Sequence, residues 1–594
     1  MTDRHRGPTG GGGVRFVAVD ARGAPLTAAA ETYLASDDVD ELPFAAAAHT
    51  RWSDRTGSVH VAGWEPGAVS NIETGPQRIV AVAGSPRLRR DSWPATSSVA
   101  AEIDRRSRTP GWSSIDQLCD AYTFLRIDDD GNGVIAMDPL GLHPLYLHRS
   151  DRLTVVGNRA DLVAAVVARQ SGAPVPRDRR TGAWLAFAGY VIGHGTGFDG
   201  VDVLPECSIV RVESGRFRVD AAPPLWAYDP DGSSLDWRDV ALELEADVAH
   251  ALRYALDHSP RRPGLELTGG KDSRLVLAVA LRAGLAHEFE LCTWGPEGLP
   301  DQQVAAAIAD RFDLDHQMIR GQEPTRSLAG RFRSHVHRTA GASNCADYSD
   351  PGDQSRYVAT GFFGECFRTV SEQAATSPPG TWDAAVERFL HRPFGQAGIL
   401  VPEVAAELWD EASAYYREPM DRAGDPADAR PIFYYRCHVP RWLGPLVDSM
   451  HHRLMPLYSP AAVRAGFAVG PTARAQEEIH RHLITQASPD LAALPFANDS
   501  WRAQHQSAPV RGSPDATQAV RPRQAEERAR TAVAVIDEDP DNPMFELVDR
   551  EALRRAVESF PSHGARIRQQ LLGAVAALIW HAGTELPSRP SEVR

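Results

Sequence analysis

The residues best suited to chemistry stand together at positions 268–273, in the string Thr-Gly-Gly-Lys-Asp-Ser. The pattern at 264–267 predicts a strand before this string, and the pattern at 273–283 an apolar helix after it. Paired glycines let the backbone approach an oxyanion, and a helix N-terminus attracts one. The side chains add hydroxyl donors, a cation and a carboxylate suited to Mg²⁺. A phosphate site is predicted. The plain alternative is a turn with Ser273 or Asp272 as the helix cap.

Lys271 is the only lysine in the chain, since every other permanently cationic side chain is an arginine. Scarcity of lysine alone can reflect a bias in composition. The position of this lysine inside the predicted phosphate loop indicates a use for its charge there. The loop lacks the G-x-x-x-x-G-K-[ST] spacing, so it is not a Walker A loop.

The elements after about residue 236 suit such a loop. The patterns predict a helix at 237–256, a strand at 289–293 and a helix at 302–312. Strands that alternate with helices imply a parallel sheet with crossover helices. The chain reads as mostly helical from residue 431, with a loop at 505–526 and helices at 549–560 and 565–580.

The first part of the chain has a different pattern. Short β-rich runs predict strands at 14–19, 58–62, 78–82, 153–156 and 208–212. The segment 128–133, Asp-Asp-Asp-Gly-Asn-Gly, is a strong hairpin signal between two further strands. We therefore expect a layered, mainly antiparallel domain with a few helices. A linker at 221–234 follows it, and the fold class is α/β plus α+β.

Composition excludes some classes of function. The formal net charge of −15 argues against a nucleic-acid partner, which needs a basic surface. Six cysteines show no zinc-ligand spacing, and we expect reduced, mostly buried thiols. The first 13 residues lack the apolar core of a signal peptide, and the apolar run at 571–580 is too short to span a bilayer. A cytoplasmic protein without a membrane span is expected.

The string at 268–273 resembles the S-G-G-x-D-S loop of the pyrophosphatase-type ATP enzymes. Pro300-Asp301, the stretch 312–316 and the turn 358–365 resemble corresponding segments of asparagine synthetases. The resemblance implies ATP and Mg²⁺, with the metal held by Asp272 and Glu365. It also implies a nucleotide site made of Leu267, Thr268, Gly269, Gly270, Lys271, Asp272, Ser273, Thr293, Thr360 and Gly361.

Segments 137–146, 157–162 and 191–205 resemble class II glutamine amidotransferase domains, which have an Ntn-type β-sandwich. The two resemblances together imply a plan for the whole chain. Residues 1–13 are a disordered tail, and 14–222 form a degenerate amidotransferase-like domain. Residues 236–594 form a synthetase domain with a pyrophosphatase-type ATP-binding parallel sheet and a helical extension.

The sequence departs from these families at three points. Amidotransferases of this class need an N-terminal cysteine, but Thr2 follows the initiator and the first cysteine is Cys119. A scaffold without glutaminase activity is therefore expected. Phe362 occupies the position of the family residue that helps to remove a proton, which leaves the general base unassigned. Glu365 is close but is expected on the metal, Glu372 and Glu387 are not ranked, and an amine with a suitable pKa needs little help. The late lysine of the family is absent, and Arg502 is the candidate substitute, with a solvated surface arginine as the alternative.

Two relatives lack the cysteine in this way: the β-lactam synthetases and the macrolactam cyclases that close lasso peptides. The phosphate loop, the turn 361–368 and the segment 494–501 look more like the cyclases. The resemblance implies AMP-forming macrolactam synthesis on a precursor peptide, with Lys271, Glu365 and Arg502 as catalytic residues. The resemblance implies that peptide as a partner, together with its leader peptidase or recognition proteins. Alternatives are a small-molecule amide ligase, an ammonia-using synthetase and a non-catalytic scaffold.

Overall fold

The computed structural model of the chain describes most of it with defined positions. The described residues are 14–21, 25–36, 48–65, 71–91, 98–109, 113–226, 236–295, 298–319, 327–344, 356–368, 380–391, 394–418, 426–441, 443, 453–497, 501 and 514–582. The predicted tail at 1–13 and most of the predicted linker lie outside these ranges.

The described residues of the first part of the chain form fourteen strands: β1 (Arg15–Asp20), β2 (Ala48–Ser53), β3 (Val59–Glu65), β4 (Ile72–Gly75), β5 (Arg78–Gly84), β6 (Arg87–Leu88), β7 (Leu118–Cys119), β8 (Tyr122–Asp128), β9 (Gly133–Met137), β10 (Tyr146–Arg149), β11 (Thr154–Gly157), β12 (Asp202–Val203), β13 (Ser208–Glu213) and β14 (Arg216–Ala221). Twelve of them form two antiparallel sheets, in the orders β12-β10-β11-β1-β3-β2 and β14-β13-β9-β8-β5-β4. The remaining two, β6 and β7, pair with each other. The predicted hairpin at 128–133 is confirmed, because Ile127 pairs with Gly133.

The two six-stranded sheets pack face to face. Phe16 and Val61 from one sheet share a core with Leu125 and Ile135 from the other, and all four are fully buried. The prediction of a layered antiparallel domain is confirmed. Five helices accompany the sheets: α1 (Ala28–Leu34), α2 (Val99–Ser107), α3 (Ser114–Gln117), α4 (Ala160–Ser171) and α5 (Arg179–Ala188).

The second part of the chain begins with alternating helices and strands: α6 (Trp237–His258), β15 (Gly264–Glu266), α7 (Lys271–Arg282), β16 (Glu290–Trp294), α8 (Pro300–Phe312), β17 (His316–Ile319), α9 (Leu328–Arg338) and β18 (Val358–Ala359). A late strand, β19 (Arg453–Leu454), completes a five-stranded parallel sheet in the order β17-β16-β15-β18-β19. The predicted parallel sheet is confirmed. Strand β19 was not predicted, because two residues are too short to show periodicity.

The rest of the described chain is mostly helical: α10 (Trp382–Val386), α11 (Pro402–Arg417), α12 (Ala429–Phe433), α13 (Pro460–Ala468), α14 (Gly470–Ala475), α15 (Glu478–Ala487), α16 (Pro489–Ala493), α17 (Pro514–Glu538), α18 (Arg550–Glu558) and α19 (Ala565–His581). Helices were predicted only from residue 431, so the prediction is confirmed there, whereas α10 and α11 were not predicted. A π turn, Tyr434–His438, extends α12. The loop predicted at 505–526 is wrong from residue 514 onward, where α17 begins. Buried Ala532, Val535 and Ile536 anchor that helix in the core.

The two parts of the chain share their cores. The outer face of the sheet that contains β1 packs against α4, α5 and the late helix α19 in one cluster. The outer face of the other sheet shares a cluster with α6, α7 and the parallel sheet. Polar contacts add to this junction, since the Tyr458 hydroxyl donates to buried Asp138 at 3.0 Å and the Met455 amide donates to Asp120 at 2.8 Å.

The cysteines and the apolar helices bear on two predictions made from composition. Cys119, Cys207, Cys292, Cys366 and Cys437 are free and buried, as expected. None of the described helices combines the length and apolar character needed to cross a membrane.

Candidate functional site

The predicted phosphate loop lies at the carboxyl end of β15 and leads directly into α7. The Thr268 amide donates to the Ser273 hydroxyl at 3.1 Å, and the two hydroxyl oxygens lie 3.0 Å apart. The Gly270 amide donates to the Thr268 hydroxyl at 3.2 Å. Gly270 is the N-cap of α7 and offers no side-chain acceptor, so the first turn of this helix begins without a side-chain cap. Such an end attracts anions.

Asp301 holds the middle of the loop. Its carboxylate accepts a hydrogen bond from the Gly269 amide at 2.8 Å, while the Gly269 carbonyl accepts one from the Ala497 amide at 3.1 Å. Asp301 was recognised as part of a motif but was not predicted as a site residue. The signal that could have found it is its place in the first turn of α8, directly beyond the strand next to β15.

Thr293, predicted to contact the nucleotide, lies on β16 beside the loop. Its hydroxyl donates to the Leu267 carbonyl at 2.6 Å and lies 2.8 Å from Nε2 of His316. Burial lowers the pKa of His316, so this imidazole is neutral at pH 7. The two adjacent strands therefore position the backbone of the loop through one buried hydroxyl.

The predicted turn after β18 packs directly on the start of α7. A Cβ at Gly361 would lie 2.5 Å from the Ser273 amide nitrogen, and one at Gly364 would overlap the Asp272 carboxylate. Only glycine allows this approach. The Thr360 hydroxyl donates to the Leu454 carbonyl at 3.1 Å, which ties the turn to β19. The structure thus brings together the two segments that the sequence resemblance had joined.

Asp272 already has partners in this structure. Arg368 donates to both of its carboxylate oxygens, at 2.9 and 2.7 Å, and Nε2 of His480 lies 2.9 Å from one of them. Burial opposes ionisation of Asp272, but the Arg368 charge and these hydrogen bonds outweigh it and hold its pKa below the usual range. Neither Arg368 nor His480 was predicted, because each meets Asp272 only through the tertiary fold.

Glu365, the second predicted metal ligand, lies near Asp272. The Tyr434 hydroxyl donates to Glu365 at 3.1 Å. Burial, and next the negative charge of Asp272, raise the pKa of Glu365. Two carboxylates that repel each other in this way are a donor pair suited to a divalent cation. Among the described residues no three His, Cys, Asp or Glu side chains form a cluster that could hold a metal alone, so phosphate oxygens would have to complete the shell.

Lys271 turns away from the loop surface. Its ammonium lies 2.8 Å from each carboxylate oxygen of Glu477, and both side chains are almost fully buried, at 1% and 0% exposure. The rings of Phe496 and Trp501 lie 5.5 and 5.6 Å from Nζ. The Lys271 charge, which was expected to act at a phosphate, is therefore already paired with Glu477 in this structure. Arg502 lies outside the described residues.

Arg274 joins α7 to the segment that carries these rings. Its guanidinium donates to the carbonyls of Leu491, Leu494 and Pro495 at 2.7–3.2 Å and lies 4.0 Å from the Phe496 ring centroid. Burial lowers the pKa of Arg274 to about 9. It was not predicted as a site residue, and its role is to position residues 491–496 against the phosphate loop.

The position expected to hold a general base offers none. Phe362 is half-buried, and its amide lies 3.5 Å from the Thr360 hydroxyl. Glu387 is exposed at the end of α10, and Glu372 lies outside the described residues. Glu365 is therefore the described acid closest in the chain to Phe362.

Comparisons with known proteins find only weak structural similarities. No family model and no curated protein matches the chain. One similar solved structure is a glutamine phosphoribosylpyrophosphate amidotransferase from B. subtilis complexed with ADP and GMP. It has 13% identity and a TM-score of 0.22 over 51% of this chain and 65% of that one. Another is an allosteric regulatory enzyme of purine biosynthesis, with 10% identity and a TM-score of 0.24 over 52% and 80%. Likenesses this weak say nothing about what the chain does.

Proposed function

We propose that the chain is an ATP-dependent, AMP-forming carbon–nitrogen ligase. The observation that carries this proposal is the packing of the turn 360–365 on the start of α7, which brings Glu365 close to Asp272 at an uncapped helix N-terminus. A triphosphate needs both an anion-binding backbone and acidic metal ligands at such a place. The parallel sheet positions both at its carboxyl edge, where open α/β sheets bind ligands.

Nucleotide binding is assigned to the loop and its neighbours. Residues 267–273 would contact the phosphates, and Thr293, Thr360 and Gly361 would line the nucleotide. Asp272 and Glu365 would hold Mg²⁺, which supplies charge neutralisation at the phosphates. Arg368 bonds to both oxygens of Asp272, but Oδ2 accepts only one of the hydrogen bonds shown and keeps a lone pair for Mg²⁺. The Arg368 guanidinium beside it suits a phosphate oxygen.

The reaction proceeds in two displacements. A carboxylate oxygen of the substrate attacks the α-phosphorus, the bond to the β-phosphate oxygen breaks, and pyrophosphate leaves. An amine nitrogen then attacks the acyl carbon, AMP leaves with the bonding pair, and the amine loses one proton to a base. Holding both ends of one molecule together contributes about 7–11 kcal/mol as effective molarity.

We assign the supporting charges as follows. Glu365 is the acid beside the reacting phosphates, and Arg502 follows Trp501, whose ring packs near Lys271. Lys271 holds Glu477 beneath the loop and in that way fixes the start of α7, unless nucleotide binding redirects its ammonium. Phe362 cannot act as the base that the family has at this position. The simplest nucleophile is therefore an amine that is already neutral at the working pH.

We propose a precursor peptide as the substrate. Its Asp or Glu side-chain carboxylate would be activated and its N-terminal amine would close a macrolactam, as in lasso-peptide cyclases, with a leader peptidase or recognition protein as a further partner. This refinement rests on the sequence resemblance. A small-molecule amide ligase would use the same loop chemistry and is separated from it only by the substrate that is accepted.

ATP–pyrophosphate exchange with candidate peptides and carboxylates tests the proposal. We expect exchange in the wild type and AMP plus pyrophosphate as products. Asp272→Ala is expected to reduce exchange by at least about 10³-fold, because positioned metal charge is a large part of phosphoryl catalysis. Asp310→Ala, an exposed acid on α8, is the matched control and should leave the rate unchanged. Products of ADP and orthophosphate, or full exchange in Asp272→Ala, would contradict the proposal.

A second candidate function is nucleotide binding without turnover. It is favoured by the contacts that Asp272 already makes with Arg368 and His480 and by the absence of an acid or base at Phe362. This protein would bind ATP but show no exchange with any substrate, whereas the ligase would show both. Equilibrium binding of ATP measured beside the exchange assay separates the two.

A further inference from the structure

A polar cavity lies away from the phosphate loop, where the antiparallel sandwich meets the later helices. It encloses about 910 Å³ of empty space, part of it open to solvent. Its lining includes Tyr146, Arg159, His194, Ala340, Tyr415 and Arg441. Nothing in the proposed ligase reaction uses this cavity.

Arg441 is the unusual side chain of this cavity. Its guanidinium donates to the backbone carbonyl of Gly193 and has no carboxylate within ion-pair distance among the residues that the structure describes. Burial lowers the pKa of Arg441, yet an arginine stays charged at neutral pH. The Arg441 side chain is half-buried, and an arginine has five N–H donors, so the bond to Gly193 leaves donors for a ligand.

Two other cations of the cavity have carboxylate partners. Arg159 forms a two-point ion pair with Asp161, and Arg436 pairs with Glu206 at 3.2 Å and Glu418 at 2.7 Å. In each pair the carboxylate charge offsets the arginine charge within the protein. Arg338 also lines the cavity, beside His335, and the Asp202 charge acts on Arg441 from beyond ion-pair distance. Arg441, which bonds to a carbonyl rather than a carboxylate, is the cation of the wall that we take as the anchor of a singly charged anion.

The other side chains of the cavity wall indicate which chemical group would accompany the anion. His194 is neutral, because burial and the Arg441 and Arg436 charges lower its pKa to about 4. Its ring lies 5.6 Å from that of Tyr415 in an edge-on contact. Tyr146, Leu204 and Ala340 add apolar or aromatic surface. Such walls favour an apolar or aromatic group attached to the anion.

We propose that this cavity is a binding site for a monocarboxylate that carries an apolar or aromatic group, with Arg441 as its anchor. The guanidinium presents a planar donor fork that matches a carboxylate in a two-point pair. The site is separate from the phosphate loop, and its occupant does not have to be the carboxylate that becomes activated.

The test compares a carboxylate with its neutral amide. N-acetylphenylalanine and N-acetylphenylalaninamide have the same shape and differ in charge, and their binding to the full chain without ATP can be measured by calorimetry. We expect the acid to bind at least tenfold more tightly than the amide. Equal affinities, or no binding of either, would overturn the proposal without the help of any variant.

Variants place the binding in the cavity. Arg441→Gln should weaken binding of the acid at least tenfold, Arg441→Lys should weaken it less, and Arg149→Gln, an exposed arginine on β10, should leave it unchanged. Val203→Phe narrows the cavity from the short edge strand β12 and should also weaken binding, which covers the case that Arg441→Gln does not fold. Unchanged affinity in both Arg441→Gln and Val203→Phe overturns the proposal.

One more variant keeps this proposal apart from the ligase proposal. Asp272→Ala, which should abolish pyrophosphate exchange, should bind the acid with unchanged affinity. Loss of acid binding in Asp272→Ala would place the acid at the phosphate loop and overturn the cavity site. Failure of the ligase proposal alone would appear as absent exchange with intact acid binding at Arg441.

Discussion

The phosphate loop and the cavity both have buried or half-buried cations beside them, and these cations differ in their partners. Arg274, beside the loop, donates to three carbonyls and has no carboxylate among its described partners. Beside the loop, Lys271 has Glu477 and Arg368 has Asp272, each with two contacts to the carboxylate. In the cavity, Arg441 has a peptide carbonyl instead. Removing one member of a buried pair costs more than the pair itself contributes. A cation with a carboxylate partner, or with three carbonyls as Arg274 has, therefore acts as a structural element. Arg441, with one carbonyl, has donors left for a ligand.

The largest effect is expected when the deepest matched pair is broken. Glu477→Gln leaves the Lys271 ammonium buried against a neutral amide, and we expect a loss of stability on the order of 3–5 kcal/mol. Urea unfolding followed by fluorescence and circular dichroism measures it.

The matched control for that change removes both charges. The double variant Lys271→Met, Glu477→Leu should recover most of the loss, because an apolar pair of similar volume is often neutral or stabilising. A loss below about 1 kcal/mol in Glu477→Gln would show that the pair behaves as if it were at the surface.

A smaller effect is expected at the second matched pair. The depressed pKa of Asp272 contributes stability that is present above the unfolded-state value near 3.8 and is lost as the pH falls through the folded-state value. Arg368→Gln removes the cause and should cost about 1.5–3 kcal/mol at pH 7. The gap between variant and wild type should narrow at pH 3. Thermal unfolding at both pH values tests this.

Arg311→Gln provides the comparison for Arg368→Gln. Arg311 pairs with Asp490, but both side chains are 57% exposed, so the pair is screened by water. If Arg368→Gln were no more destabilising at pH 7 than Arg311→Gln, the Asp272 pair would not be a structural element of the loop.

The smallest effect is expected at Arg441 of the cavity. Arg441→Gln should raise the pKa of His194 above its value of about 4, because after burial the Arg441 charge is the next largest cause that lowers this pKa, and the variant removes it. Neutral His194 gives stability that is complete above pH 6.5 and falls as the pH drops toward 4, so the variant should lose less stability over that window. NMR titration of the His194 ring measures the pKa. An unchanged pKa of His194 in Arg441→Gln would show that the Arg441 charge does not act on the His194 ring.

Local patterns predicted those parts of the fold that depend on neighbours in the chain. The hairpin at 128–133, the strand–loop–helix at 264–282 and the helices at 237–258 and 565–581 follow from turn residues and apolar periodicity. Strand β19 could not be predicted, because its two residues become a strand only by pairing with Val358 and Ala359. Helix α17 was missed because polar and proline residues at its start hide the buried alanines further on.

The candidate site shows the same division. The glycines, Asp272 and Glu365 could be named from the sequence, because their chemistry is carried by residue type and spacing. Arg368, His480 and Glu477 could not, because they reach the loop from 96 to 208 residues away. The direction of the Lys271 side chain was equally hidden, since a helix start can turn its first side chain inward or outward.

The π turn Tyr434–His438 connects the two regions compared above. Tyr434 holds Glu365 beside the loop, and Arg436, in the same turn, pairs with Glu206 at the cavity wall. A shift of that turn is therefore transmitted to both places. With a nucleotide at one and a carboxylate at the other, thermodynamic linkage requires reciprocity: whatever factor the first ligand applies to the affinity of the second, the second applies to the first.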